Sequence, residues 1–548
     1  MTSTLNKSTH WLLSDTAPFT PEDFDNTTRS IAELTQQFVD RELMPRMAEL
    51  ESKPDGLNAR LLRQVAELGF FQTEVAEDEG GLDLPKVSST IISEKLGGTG
   101  GFGVTFGGQA GIGLLPLVYF GTPAQKAKYL EKLMSAEWIA AYALTEPGSG
   151  SDAMGARTTA VLSDDGSHYV LNGSKMWITN AGIADLFTVF AQIRTPEGNK
   201  FSTFLIERGF PGVRVGREEH KMGLHSSSTC AVFFEDAQIP AENLLGQPGD
   251  GAKIAFNILN IGRYKLGAGG VGAAKAALAV ALAYAQERQQ FGQPISHFGA
   301  VRKKLANISA EIYAVESAVY RTVGSIDAAV AGGQDKLGAI EAHAAEASMV
   351  KVLGTELLDY AVDEGVQIHG GYGFSGEYDI ERQYRDSRVQ RIFEGTNEIN
   401  RLLIPLRTLS GLPAEALAVQ DAGDDVAQVI GDMRALSVGL LRQAAENYGK
   451  GLRQEQAVVL RLADLLMLTY AATSAQGRTL KLGSPADAVA RTRLYVARAA
   501  GRFAQTVAEL KHVLELSADQ RAGLARLASG PLDVIAAQGA VADLLIKH

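Results

Sequence analysis

The hydrophobic period of this chain changes twice, and that double change constrains its fold more than any single motif. From about residue 20 to 140, apolar residues recur at helical spacing, through Ile31, Leu34, Phe38 and Leu43 and again through Leu61, Leu62, Val65 and Leu68. Near Ala140 the pattern becomes short alternating runs with turn signals, which predicts antiparallel strands. Helical periodicity returns from about Gly249 to Leu409 in long Ala-rich segments, and the composition stays helical to the end. The chain therefore reads as mainly α with a central β-domain. The expected units are a helical domain over 20–140, a β-domain over 141–247, a third, helical domain over 248–409 and a helical extension over 414–548. A length of 548 residues fits about three to four such units.

Local signals refine this outline. In Phe19-Thr20-Pro21-Glu22-Asp23-Phe24, Thr20 suits a cap, Pro21 the first helical position and Asp23 the answering residue, with Phe19 and Phe24 placed as a hydrophobic staple. Thr122-Pro123-Ala124-Gln125 repeats that logic, and Ser484-Pro485-Ala486-Asp487 reads as a helix start. Asn172-Gly173 between Tyr169–Leu171 and Lys175–Ile178 predicts a hairpin. Further strands are expected at Leu186–Ile193 and Phe201–Ile206, around Pro196-Glu197-Gly198-Asn199, and at Ala231–Phe234. Breaks in the later helices fall at Phe291-Gly292-Gln293-Pro294, Gly332-Gly333, His369 to Gly373 and Gly411-Leu412-Pro413. Gly98 to Gly103 matches the dinucleotide fingerprint G-x-G-x-x-G literally. It follows a helical pattern, Ser88 to Leu96, and no Asp or Glu lies about twenty residues on, so that reading is rejected.

Composition narrows the function classes. A net charge of −11 opposes a nucleic-acid partner, because phosphate binding needs a basic surface. The lone Cys230 excludes an internal disulfide framework and fits a reducing compartment; heading a strand with no base beside it, it reads as a small buried residue. The N-terminal residues lack a signal-peptide run and are poor in arginine, which leads to an expectation of a cytoplasmic protein of bacterial type. Gly267 to Gln286 is interrupted by Lys275 and rich in Ala and Gly, and is expected to be a packed helix. No His/Cys/Asp group has metal-ligand spacing, so no metal is expected.

The stretch Arg388 to Arg401, R-V-Q-R-I-F-E-G-T-N-E-I-N-R, sets one carboxylate, Glu394, between the apolar pair Ile392 and Phe393 and a glycine. A carboxylate there loses water on one side, which raises its pKa and makes it a better general base near neutral pH. Gly395 lets another molecule approach the backbone, so that a substrate carbonyl can reach the Glu394 amide. Taken alone, the stretch also fits a surface acid beside a turn glycine.

Helices, a small β-domain and helices again, with Y-A-L-T-E-P-G-S-G-S-D at Tyr142 to Asp152 and R-I-F-E-G-T-N-E-I-N-R near the end of the third unit, resemble the acyl-CoA dehydrogenase family over about residues 20 to 408. The F-T-P-E-D-F opening, I-L-N-I-G-R-Y at Ile258 to Tyr264 and the extension are most similar to its very-long-chain branch. The resemblance implies an antiparallel, barrel-like middle domain and a four-helix bundle over 248–409. It implies FAD-dependent α,β-dehydrogenation of a long-chain acyl-CoA to the trans-2-enoyl-CoA, as in fatty-acid β-oxidation. Glu394 would remove the α-proton, the β-hydride would leave for flavin N5, and the electrons would pass to an electron-transferring flavoprotein. Another branch places its base where this chain has Gly262, which has no side chain.

By the same resemblance the flavin would meet Tyr142, Leu144, Thr145, Trp177, Ile178 and Thr179, and Ser151 would contact pyrophosphate or substrate. Arg288, Phe291, Gln367, Gly370 and Gly371 would contact the adenosine diphosphate half across a subunit boundary, and Thr396 and Glu398 the remaining flavin positions. Arg263, with Tyr264 and Gly395, would serve the acyl-CoA substrate. The reaction needs donors for the developing enolate oxygen, each worth about 3 kcal/mol, and the Glu394 amide and a flavin ribityl hydroxyl are candidates.

Each assignment has a plainer counterpart. Trp177 also fits a core aromatic, Arg382, Arg385, Arg388 and Arg391 a solvated or acid-paired helix face, and His369 a structural histidine. An acyl-CoA oxidase using oxygen and a non-catalytic assembly or DNA-protecting relative remain as alternatives. The extension is expected to accompany a homodimer in place of a tetramer. The Arg and Ala alternation from Arg491 to Arg502 leaves a peripheral membrane face open beside a helix packed on its own domain.

Overall fold

The computed structural model describes residues 10–13, 17–412 and 424–546. Residues 1–9 of the N-terminal stretch, and Pro413 of the expected break, lie outside them. The chain divides into two compact units, Asn26–Gly262 and Arg263 onwards, the latter including the described residues up to Asp25.

The unit Asn26–Gly262 begins with helices α1 (Asn26–Phe38), α2 (Leu57–Glu67), α3 (Lys86–Leu96) and α4 (Pro123–Met134). Leu61, Leu62 and Val65 of α2 are fully buried, as their spacing predicts. Thr122 caps α4 as expected: its hydroxyl accepts from the Gln125 amide at 3.2 Å, and the Gln125 side chain accepts from the Thr122 amide at 3.0 Å. The G-x-G-x-x-G match follows α3 and no strand, in agreement with its rejection. Gly101 is needed there for a different reason, since a Cβ on it would lie 2.2 Å from the Ser226 hydroxyl oxygen.

The sheet follows: β1 (Ala140–Ala143), β2 (Thr159–Leu162), β3 (His168–Thr179), β4 (Leu186–Thr195), β5 (Gly198–Glu207), β6 (Val213–Glu218), β7 (Thr229–Pro240) and β8 (Leu244–Leu245). Its order is β6-β7-β3-β2-β4-β5-β8, with β1 on β4. The expected β4–β5 hairpin is present, pairing Thr195 with Gly198 around Pro196 and Glu197. Two pairings depart from the antiparallel expectation, because β1 and β2 both run parallel to β4.

The Asn172-Gly173 hairpin is corrected. β3 runs straight through those residues, and its register with β7 shifts between Leu171 and Gly173. A dipeptide that tolerates φ > 0 serves a bulge as well as a turn, and here continued pairing with β7 outweighs the local preference. Gly173 takes φ +149, and a Cβ on it would lie 2.5 Å from the Thr158 hydroxyl oxygen.

Helix α5 (Gly251–Glu287) leads into the second unit. There α6 (Gly299–Ala331), α7 (Ala344–His369), α8 (Asp379–Ser387) and α9 (Asn397–Gly411) precede the extension helices α10 (Asp425–Tyr448), α11 (Gln456–Lys481), α12 (Ala486–Leu510), α13 (Ala518–Ala528) and α14 (Val534–Ile546). Helix α6 packs against α7, α11, α12 and α14, so the extension shares the core of the third domain. Leu545 of α14 lies on the cluster Ala281, Ala285, Leu305 and Ile368. The expected helix break at Phe291-Gly292 is a two-residue hairpin, Gln289–Gln290 paired with Gln293–Pro294.

The cap expected at Thr20-Pro21-Glu22-Asp23 forms, with Asp23 accepting from the Thr20 amide at 2.7 Å, but it opens only the 3-10 turn Pro21–Asp23, because Phe24 leaves helical space at ψ 131°. The turn belongs to the second unit, where Phe24 packs edge-on to Tyr320 and Arg478 of α11 donates to Glu22 at 2.6 Å. Ser484-Pro485-Ala486-Asp487 is a helix start as expected: α12 begins at Ala486 with Pro485 as its cap residue and Asp487 in its first turn.

The small residues of the Gly267 to Gln286 run explain its packing. A Cβ on Gly267 would lie 2.7 Å from the Val350 carbonyl oxygen, one on Gly270 2.5 Å from that of Gly354, and one on Gly354 2.5 Å from that of Gly267. Helices α5 and α7 thus meet backbone to backbone, as expected of a packed helix, although α5, α11 and 101–120 are each long and apolar enough to cross a membrane. Gly354→Leu is expected to destabilise the protein by about 3 kcal/mol, since no side chain there can move aside. Gly501→Ala on α12, with nothing within 4 Å, is expected to stabilise by about 0.5–1 kcal/mol. Urea unfolding of the two variants checks both signs.

Candidate active site

Glu394 sits in a tight bend between the 3-10 turn Arg388–Arg391 and α9. It takes φ +56 and Gly395 φ +80, two successive left-handed residues. For a residue with a side chain that conformation costs on the order of 1–3 kcal/mol and persists only where its surroundings over-determine it. They do. The Asn400 side-chain amide donates to the carbonyls of Gly395 at 2.8 Å and Thr396 at 3.0 Å, and weakly to that of Glu394 at 3.4 Å. Lys351 Nζ donates to the Gly395 carbonyl at 2.9 Å and Arg263 Nε to the Glu394 carbonyl at 3.4 Å. Thr396 then caps α9, accepting from the Ile399 amide at 3.2 Å.

The bend leaves Glu394 Oε2 buried and without a hydrogen-bond partner. Desolvation pushes the carboxyl up to about 7 against the opposing pull of the Arg263 and Lys351 cations. Burial also pushes Lys351 down to about 7 and Arg263 down to about 10. Ile392 of the same stretch is 51% exposed. Arg263 is buried, and its Nε donates weakly to the Glu394 carbonyl. Tyr264 is fully buried and Glu398 is exposed.

In the other unit, Tyr142 lies in β1 with Leu144 and Thr145 just after it, while Trp177, Ile178 and Thr179 end β3, and the Met176 amide donates to the Thr145 carbonyl at 2.9 Å. A register shift between Lys175 and Ile178 puts Trp177 at φ +61 and leaves it 55% exposed, which excludes the plain core reading. Beneath this edge Lys175, with no exposed surface, donates to the Leu144 carbonyl at 3.1 Å and to Glu146 at 2.7 Å. Glu146 also accepts from the amides of Arg157 at 2.6 Å and Thr158 at 3.0 Å. Ser151 is exposed.

A cleft of about 590 Å³ in the second unit is lined by Arg288, Gly370 and Gly371 with Tyr284, His369 and Tyr372. Gln367 and Phe291 do not line it; Gln367 is exposed, and Phe291 stands 93% exposed at the tip of the small hairpin. His369 is structural, bonding the Gly365 carbonyl at 2.7 Å and stacked on Tyr284. Arg382, Arg385 and Arg391 are paired to Asp379 and Asp386, to Glu381 and to Asp359. Cys230 is buried and its thiol is pushed up to about 11 by burial and by Glu218, so it is no nucleophile. Among the described residues no group of His, Cys, Asp or Glu could hold a metal.

Models of acyl-CoA dehydrogenase domains match residues 25–137 (N-terminal), 141–237 (middle), 249–409 (C-terminal) and 436–528 (a further C-terminal domain). The chain belongs to the acyl-CoA dehydrogenase family. It is 45% identical over 491 residues to a probable acyl-CoA dehydrogenase of Bacillus subtilis, covering 84% of this chain and 82% of that one. It is 37% identical over 467 residues to the human very long-chain specific acyl-CoA dehydrogenase, covering 76% and 70%. The crystal structure of a Bacillus anthracis acyl-CoA dehydrogenase complexed with FAD superposes with TM-score 0.91 at 43% identity over 98% of both chains.

This dehydrogenase is an FAD-dependent oxidoreductase, and its β1–β3 edge fits such a group: an exposed aromatic face beside backbone groups braced from below by a buried ion pair. Sequence reasoning missed the residues that hold the site, namely Lys175, Glu146, Lys351 and Asn400. Only Asn400 left a signal, lying one helical turn beyond the caps it collects.

Proposed function

We propose that this dehydrogenase oxidises a long-chain acyl-CoA to its trans-2-enoyl-CoA with Glu394 as the base that takes the α-proton. The carrying observation is the buried, unpartnered Glu394 Oε2, whose carboxyl is poised near neutrality by burial. Arg263 and Lys351 also hold the carbonyls of Glu394 and Gly395, and burial outweighs the pull of both cations on the carboxyl. FAD, when bound, accepts the β-hydride.

Tyr142, Leu144, Thr145, Trp177, Ile178 and Thr179 would hold the flavin ring edge, and Ser151 the pyrophosphate or substrate. Arg288, Phe291, Gln367, Gly370 and Gly371 would hold the adenosine diphosphate half, with Thr396 and Glu398 at the remaining flavin positions. Arg263 would meet the CoA moiety or its phosphates, and Tyr264 and Gly395 the rest of the acyl-CoA substrate. The exposed aromatics Phe291 and Phe374, 93% and 88% accessible, support a homodimer in which that group is shared. Likeness to the very long-chain enzyme supports a long acyl chain and an electron-transferring flavoprotein as acceptor. Support for membrane contact through α12 is lacking: Arg491, Arg493, Arg498 and Arg502 are paired with Asp487, Asp425 and Glu311.

Anaerobic titration with butyryl-, octanoyl- and palmitoyl-CoA tests the reading. Bleaching of the flavin absorbance is expected, most completely with palmitoyl-CoA; a flavin that none of them bleaches rejects it. The rate of bleaching should rise with pH through a limb near 7, because only the ionised carboxylate accepts the proton. In Lys351→Met that limb should move to higher pH, since a cation favouring the carboxylate is gone. A limb unmoved or lowered in the pH–rate profile would show that the Lys351 charge is not felt.

A further inference from the structure

The strained bend is braced by a polar chain that leaves the third domain. Lys351 Nζ, which donates to the Gly395 carbonyl, also donates to Asn397 Oδ1 at 2.8 Å. Asn397 Nδ2 donates to Glu356 Oε1 at 3.1 Å. Arg401 grips both oxygens of Glu356, Nη1 to Oε1 at 2.7 Å and Nη2 to Oε2 at 2.9 Å. Its remaining anchor, Nε, donates at 2.7 Å to Asp464 of α11, in the extension.

We propose that Asp464 is a positioning residue for the Glu394 bend, acting through Arg401, Glu356, Asn397 and Lys351. The inference rests on Glu394 being the base. A bend with two left-handed residues has no regular backbone ladder to keep its shape, so the groups that collect its carbonyls decide where the carboxylate points. The chain cannot rely on close packing for its own position, because Glu356, Arg401 and Asp464 line a cavity of about 300 Å³. The Glu356 side chain is 42% exposed, and an exposed ion pair by itself holds a side chain weakly. Fixing the planar guanidinium from a second side, by a carboxylate on Nε, makes the fork to Glu356 directional. The extension therefore does more for this enzyme than cover the bundle: one of its side chains sets the geometry of the reaction.

The test follows flavin bleaching by saturating palmitoyl-CoA in the holoenzyme. Asp464→Ala is expected to slow it about tenfold and Asp464→Asn about threefold, with flavin content and the half-saturating palmitoyl-CoA concentration within twofold of wild type. Asp464→Glu should restore the rate to within twofold. In an Arg401→Gln background Asp464→Ala should add less than twofold, because the residue acts through Arg401. Arg461→Gln, which removes the exposed α11–α12 pair to Glu509, is the control and should leave the rate unchanged. Wild-type bleaching rates in both Asp464→Ala and Asp464→Asn overturn the proposal. So does equal slowing in Arg461→Gln, which would mean a general loosening of the extension. If Glu394→Gln stays active, the base assignment fails instead; if it is inactive while the Asp464 variants are normal, only the positioning role fails.

Discussion

Glu394→Gln lowers the rate of flavin bleaching by saturated acyl-CoA by about 10³-fold or more, in the upper range for loss of a general base. The amide is isosteric, and the bonds that shape the bend run to the carbonyls of Glu394, Gly395 and Thr396, so flavin content and fold should be unchanged. Stability should move the other way from activity. A carboxyl raised to about 7 in the folded state sits above its unfolded value near 4.3, so its contribution is full below pH 4.3 and is lost as pH rises through 7. Gln is neutral throughout, and the variant should melt at the same temperature as wild type or higher at pH 8. Rapid-mixing absorbance and calorimetry read the two effects separately. A variant that turns over normally removes Glu394 from the reaction.

Lys175→Met is the second large effect. Lys175 has no exposed surface and Glu146 is 6% exposed, so removing the ammonium leaves a carboxylate buried with only the amides of Arg157 and Thr158 to answer it. Breaking a buried pair on one side costs about 3–5 kcal/mol. The loss should reach the cofactor as well, because the same ammonium holds the Leu144 carbonyl beneath the edge that carries Trp177. The expected result is a protein of lowered melting temperature that loses flavin on gel filtration, while exposed Lys200→Met loses neither. Retained flavin and unchanged melting would mean that the Glu146 pair does not brace this edge.

How far the sequence can be read depends on the range of the interaction. Thr122 with Gln125 caps its helix as written, since both partners lie within one turn. Asn172-Gly173 misled, because a dipeptide preference competes with the whole length of the β3–β7 ladder and loses to it. Thr20 to Asp23 was half right: the capping residues pair, but burial of Phe24 on Tyr320 draws the chain out of the helix before it can continue. Glu394 was legible as a candidate base because it stands between an apolar pair and a glycine within a contiguous motif. Its dryness was credited to the pair Ile392 and Phe393, and Ile392 is half exposed.

The sequence by itself determined the alternation of helical and strand regions, the family and the identity of the candidate base, since each of these is carried by periodicity or by contiguous motif. Only the tertiary structure decided which groups make that base usable. Lys351 lies 43 residues before Glu394 and Asp464 lies 70 after it. Lys175 on β3 meets Glu146 in the turn after β1, 29 residues away, and nothing local to the sequence pairs them. A buried charge is worth what its partners and its access to water make it, and both are set by segments that folding brings together.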